Sequence, residues 1–317
     1  MRLRRLQYLS LLLALSLLGC SGIGSRATLA SPVERAAHAR INSVPFFAQK
    51  SHQCGPAALA MALSWSGVAV KPEEVLPSVY SPTQQGSLQS ALVAASRRQG
   101  RLAYPITGID PLLAETAAGH PVIVLQNLGL SWFPRWHYAV VVGYDLTARE
   151  IILHTGDTPY RPLPLRTFMN TWARSEYWGL LVLPPDVLPA EAEEEVYLAA
   201  VLGLEKAGQW DAAATGYQTV LRRWPGNLAA LIGLGNSYHA QAQLVDAESV
   251  FRRAATLHPT SGTPLNNLAQ VLWEQGREDE ALDTAMKAVA LGGPYVEIYR
   301  QTLEDIQTAR RAIWVSP

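Results

Sequence analysis

The chain has 317 residues, 49% of them hydrophobic and 16% charged, which is apolar material for about two folded domains and too much for a largely disordered chain. Its 26 Lys and Arg balance 26 Asp and Glu, so the excess of positive charge that favours a nucleic-acid partner is lacking. After the N-terminal segment no apolar run reaches the ~18 residues of a membrane helix.

The N-terminus carries Arg2, Arg4 and Arg5 ahead of an apolar run over 9–18. A charged start and an apolar core too short to span a bilayer read as an export signal. The run ends in Leu17-Leu18-Gly19-Cys20, which resembles a bacterial lipobox. That resemblance implies a signal peptide over 1–19 and a lipidated Cys20 as mature N-terminus. With Ser21 rather than Asp after it, sorting to the outer membrane, facing the periplasm, is expected. Residues 20–40 are rich in Ser, Ala and Gly and read as an unstructured tether. The chain has 2 Cys. With Cys20 lipidated, Cys54 is the one free thiol, and exported proteins usually pair their cysteines or avoid them. A lone exported cysteine points to a wanted reactivity.

Residues 41–49 (INSVPFFAQ) read as extended, and Cys54 then opens a helix over 54–66 that stops near Gly67. Pro56 suits a first helical turn, where its missing amide has no partner to lose. The run Ala57-Ala-Leu-Ala-Met-Ala-Leu63 has strong helix propensity. A thiol at the positive end of a helix is favoured as thiolate, and Gln49 upstream offers an amide donor. Nucleophile, helix start and donor are the parts of an acyl-transfer site with an oxyanion hole.

Short helices are expected over 71–79, 87–99 and 110–118, with Ser87 capping the second, followed by a buried strand over 121–126. His137 begins a strand over 137–145 in which Val140 and Val142 face one way and Ala139 and Val141 the other. A second strand over 150–157 pairs with it as a hairpin. The start of one strand and the end of the other then share a sheet end, which predicts Asp157 beside His137, with His154 as the alternative partner. A helix over 166–173 and a strand over 178–183 complete the domain.

Gln49…Cys54-Gly-Pro opening a helix, then His137-Tyr-Ala-Val-Val-Val-Gly-Tyr-Asp145 on a strand, resembles the C39-like cysteine peptidases of papain-like fold. The closer likeness is to a lipoprotein subset that joins this domain to helical repeats. The resemblance covers residues 41–188 and implies that Cys54 attacks a carbonyl, His137 acts as general base, and Gln49 helps bind the oxyanion. Two departures stand out: the Gln–Cys spacing is 5 where many relatives have 6, and the usual Asp-Pro of the third member is replaced by His154-Thr-Gly-Asp157.

A proline-rich hinge (184–190) and the acidic residues 191–195 end this domain; the hinge proper is set at 189–193. Beyond it Gly208, Ala242 and Gly276 recur every 34 residues, as do Ala213, Ala247 and Ala281, then Tyr217, Phe251 and Ala285, and Pro225 with Pro259. That period resembles the tetratricopeptide repeat, a stacked helix-pair solenoid, here over 194–312 with a capping helix. The fold class expected is an α+β papain-like domain followed by an all-α solenoid. The activity expected is peptide-bond hydrolysis at Cys54, His137, Asp157 and Gln49, with a protein partner or substrate on the repeats. A catalytically silent binding module, or an amidase or acyl-transferase acting on envelope material, is the alternative. No nucleotide or zinc pattern implies a cofactor or a metal.

Overall fold

The computed structural model describes residues 36–49 and 53–315. The signal peptide and Cys20 lie outside the described residues, as does most of the tether. The folded body is compact from Ala36 onward.

Its centre is an antiparallel sheet in the order β4 (Leu102–Thr107), β9 (Trp178–Leu183), β5 (Val122–Asn127), β6 (Trp136–Asp145), β7 (Glu150–Thr155), β8 (Thr158–Pro164). A short β1 (His38–Arg40) pairs with the far end of β6, Ala39 opposite Tyr144. This corrects the expectation of a tether reaching residue 40. Gly143 explains it: a Cβ there would stand 2.6 Å from the Ala39 carbonyl oxygen, so only glycine admits the extra strand.

Side-chain alternation divides two cores across this sheet. On one face Ile123, Leu125, Val140, Val142, Leu180 and Val182 pack under α1 (Cys54–Trp65), of which Gly55 through Leu63 are buried. On the other, Val122, Val124, Ala139, Val141, Leu181 and Leu183 meet α4 (Ile109–Ala117) and α5 (Leu165–Trp172). The first core also takes in α2 (Pro72–Val79) and α3 (Gln89–Arg98). Between these two helices runs a small hairpin, β2 (Tyr80–Ser81) with β3 (Gly86–Ser87). Ser87 therefore sits in a strand and does not cap α3, whose first turn follows Leu88 without a side-chain cap.

The repeats are seven helices: α6 (Glu194–Lys206), α7 (Trp210–Arg223), α8 (Leu228–Ala240), α9 (Leu244–Leu257), α10 (Thr263–Glu274), α11 (Glu278–Leu291) and α12 (Val296–Val315). Their period has a physical cause. Gly208, Ala242 and Gly276 all turn the chain with positive φ (+70°, +57° and +76°) between the helices of a pair. Ala213, Ala247 and Ala281 are fully buried where helices cross. The Tyr217 ring fills the space a side chain at Gly233 would need, and Phe251 does the same at Gly235.

The expected hinge is fixed instead. Tyr197 and Thr219 both donate to the Pro185 carbonyl (2.8 and 3.0 Å), and the Glu193 amide donates to the Tyr104 hydroxyl (3.2 Å). Tyr197, Val201 and Leu204 of α6 are buried in the same core as Leu102, Tyr104 and Leu183 of the sheet. Proline and acidic residues suggested a hinge, but each side presents an apolar face that packs against the other.

Candidate active site

Cys54 is the first residue of α1, and no acidic side chain in the first turn offsets the positive end of that helix. It is half-buried and unpaired to any other cysteine. Burial pushes its thiol up, and hydrogen bonding to the backbone of Tyr138, Gly55 and Cys54 itself pulls in the opposite direction without reversing the shift. Burial thus works against the thiolate that the helix end alone would favour.

His137 stands one residue into β6. Its Nε2 lies 2.7 Å from Thr155 Oγ1 at the end of β7. With that nitrogen protonated and donating to the hydroxyl, Nδ1 is left as the basic atom. Burial lowers the pKa of the imidazole, and the charges of Arg161 and Arg135 lower it further. Both shifts favour a neutral thiol beside a neutral imidazole.

Thr155 holds the place beside His137 that was expected for Asp157. The correction follows from the turn: Thr155 pairs with Thr158, and Gly156 at φ +59° reverses the chain between them. Asp157 is left exposed on the outside of this two-residue loop, accepting a hydrogen bond from Thr158 Oγ1 (2.9 Å). The sheet end was the right place, but the strand stops two residues sooner than expected. His154, the alternative, is fully buried among rings, 5.4 Å from Phe46 and 4.5 Å from Tyr160 by centroid. It has no side-chain partner on His137.

Gln49 is stitched to both elements of the site. Its Nε2 donates to the Tyr138 carbonyl (3.1 Å), its Oε1 accepts from the Gly156 amide (3.0 Å), and its own amide donates to the Gly156 carbonyl (2.8 Å). One Nε2 hydrogen is accounted for, and among the described residues no partner takes the second. Tyr138, which no sequence motif singles out, donates through its hydroxyl to the Ser87 carbonyl (3.1 Å) and meets Trp178 edge-on. It thereby ties the β2–β3 hairpin to β6.

Cys54, His137, Gln49 and Gly156 line one cleft of about 1400 Å³, together with residues 84–89, 133–138 and 174–176. The arrangement brings Cys54, His137 and Gln49 to a common cavity and leaves Asp157 outside it. Chemically it provides a nucleophile, a base with a fixed ring and amide donors, the set used in acyl transfer. Among the described residues no cluster of three or more His, Cys, Asp or Glu is placed to hold a metal ion.

Residues 41–179 match the model of the Peptidase C39 like family, and residues 190–262 match that of the tetratricopeptide repeat. Among solved structures, a C39-like peptidase described from Bacillus anthracis is similar at 18% identity over 46% of this chain and 97% of its own, with a TM-score of 0.39. The peptidase domain of Streptococcus ComA, a bifunctional ABC transporter of a quorum-sensing pathway, is similar at 20% identity over 44% and 96%, with a TM-score of 0.36. The Yersinia enterocolitica type III secretion translocator chaperone SycD is similar at 19% identity over 37% and 93%, with a TM-score of 0.35. No curated protein matches the sequence.

Proposed function

We infer that this chain, which joins a C39-like domain to tetratricopeptide repeats, is a cysteine peptidase that hydrolyses peptide bonds through Cys54. The observation that carries the reading is the shared cleft: a thiol at a helix N-terminus and an imidazole pinned by Thr155 open onto one cavity. In the reaction Nδ1 of His137 takes the thiol proton as the sulfur attacks the carbonyl carbon. The oxyanion is met by the Cys54 amide and the second Nε2 hydrogen of Gln49, each donor being worth ~3 kcal/mol. Collapse expels the amine, which leaves with the proton from His137, and water releases the acid from the thioester.

The repeats are read as docking a protein partner or the substrate, as stacked helix pairs commonly do. Envelope location rests on the lipobox, with Cys20 lipidated and the protein on the outer membrane facing the periplasm. Palmitate labelling that survives Cys20→Ser would sink the anchor. An amidase or acyl-transferase would use the same groups, because nucleophile, base and oxyanion donors are common to all acyl transfers.

A second reading has its own observation. The shifts on Cys54 and His137 both disfavour the ion pair, and the third group is a neutral hydroxyl. That combination suits a silent binding module. Peptide hydrolysis, with Cys54→Ser and His137→Ala as controls, separates the two. A peptidase loses all turnover in the first variant and about 10²-fold or more in the second. No turnover in the wild type, with iodoacetamide alkylation of Cys54 indifferent to His137→Ala, establishes the binding module instead.

A further inference from the structure

Between β5 and β6 the chain leaves the sheet as a tight hairpin. The Leu128 amide donates to the Arg135 carbonyl, Leu130 and Phe133 exchange backbone hydrogen bonds, and Asn127 Oδ1 accepts from the amides of Gly129 and Arg135. Arg174 braces its base by donating to the Asn127 and Gly129 carbonyls. Gly129 is obligatory, since a Cβ there would stand 2.4 Å from the Phe133 carbonyl oxygen. This well-built protrusion presents its largest apolar side chains to solvent: Trp132 is 80% exposed, Phe133 65%, Leu130 53% and Leu128 52%.

We propose that this hairpin tip inserts into the interfacial layer of a lipid bilayer. Substrate in the cleft does not account for it, because Leu128, Leu130 and Trp132 are not part of the cleft wall. The hairpin narrows to a two-residue turn, Ser131-Trp132, between the paired Leu130 and Phe133, which suits it to entering a headgroup layer. The composition agrees: Trp132, its ring 6.4 Å from that of Phe133, is an interfacial side chain, and Leu128 and Leu130 add exposed apolar area. Residues 127–137 contain Arg135 and no Asp or Glu, which complements anionic headgroups. Geometry permits it as well. Extended chain between Cys20 and the folded body spans at most about 55 Å, so an anchored molecule stays within reach of its bilayer. That last argument rests on the lipobox reading; the others do not. Insertion places the cleft mouth, where Phe133 and Trp136 stand on the same hairpin, at the membrane surface.

The test uses residues 36–317, the compact body without anchor or signal, so it is independent of Cys20. Sedimentation with phosphatidylethanolamine–phosphatidylglycerol vesicles should carry the wild type down. Leu130→Ser/Trp132→Ser should weaken binding by about tenfold or more, as loss of two inserted apolar side chains implies. Cys54 alkylation should stay unchanged, showing the fold intact. A wild type that stays in the supernatant overturns the proposal, as does binding insensitive to the tip variant. Slower peptide cleavage with unaltered vesicle binding would assign the tip to a polypeptide partner and equally overturn it.

Discussion

A histidine whose ring is held by a threonine differs in a predictable way from one held by a carboxylate. Thr155 fixes the ring but brings no negative charge to stabilise an imidazolium. Thr155→Val should slow peptide hydrolysis by about tenfold or more through loss of ring orientation, and Thr155→Asn should restore part of it. Asp157→Ala should leave the rate within about twofold, since that carboxylate sits outside the cleft. Equal losses at 155 and 157 would return Asp157 to the site. His154 gives a second prediction at this scale. Burial, aided by the charge of Arg40, pushes it down to about 4. An unfolded histidine titrates near 6.5, so between these values the unfolded chain holds a proton the folded one does not, and stability falls as pH drops from about 6.5 to 4. At ~1.4 kcal/mol per pKa unit the loss is on the order of 3 kcal/mol, and it levels off below pH 4. Urea unfolding across this range should show that slope in the wild type and a shallower one in His154→Leu. Parallel profiles would place the acid sensitivity elsewhere. That Cys54, His137 and Gln49 come to one cleft was legible in the sequence because a helix start and a strand start announce themselves locally. Thr155 was not, because which residue ends a strand depends on a turn, and Gly156 rather than Asp157 decides where this one begins.

At the scale of elements the visible signals were periodic and the missed ones were edges. Helix pairs and the buried strands β5, β6 and β9 have patterns set by two covered faces. The strands β4 and β8 contain Pro105 and Pro159, Pro162 and Pro164, which argue against a central strand. Both strands end the sheet, where a residue without an N–H need not face a neighbour. β1 is three residues long and has no pattern to read. The 34-residue period, by contrast, is written in residues that the helix crossings require. It yields a prediction at its one irregular turn. Ala242 stands at φ +57° where the equivalent positions are Gly208 and Gly276. Ala242→Gly relieves a left-handed strain of about 1–2 kcal/mol against the extra freedom glycine gives the unfolded chain, so stability should rise by up to about 1 kcal/mol. Gly233→Ala should act oppositely and more strongly, because its Cβ would fall 2.2 Å from the Tyr217 ring. Overpacking of this kind costs about 1–3 kcal/mol. Thermal unfolding of both variants checks the signs, and a destabilised Ala242→Gly would contradict the strain argument.

Over the whole molecule, two regions with unrelated sequence patterns share one buried core. The boundary near residue 189 is real as a change of period, and misleading as a mechanical joint. Pattern reports which elements form, whereas coupling depends on which apolar face each leaves uncovered, and α6 covers the back of β4. Substrate held by the repeats would therefore stand at a fixed offset from the cleft and would not be carried to it by a swinging arm. Tyr197 is the residue on which this can be tested. It is buried against Tyr104, with ring centroids 6.4 Å apart, and its hydroxyl donates to the carbonyls of Pro185 and Val187. Tyr197→Ala removes a large core side chain and the clasp on the connecting segment, at a cost of about 3–5 kcal/mol. In a coupled molecule, amide exchange should accelerate in β4 and β9 as well as in α6 and α7, and a single unfolding transition should move to lower temperature. Exchange that quickens in the helices alone, with the sheet keeping its protection and a separate melting point, would mean that the two regions fold independently and that the repeats are free to move relative to Cys54.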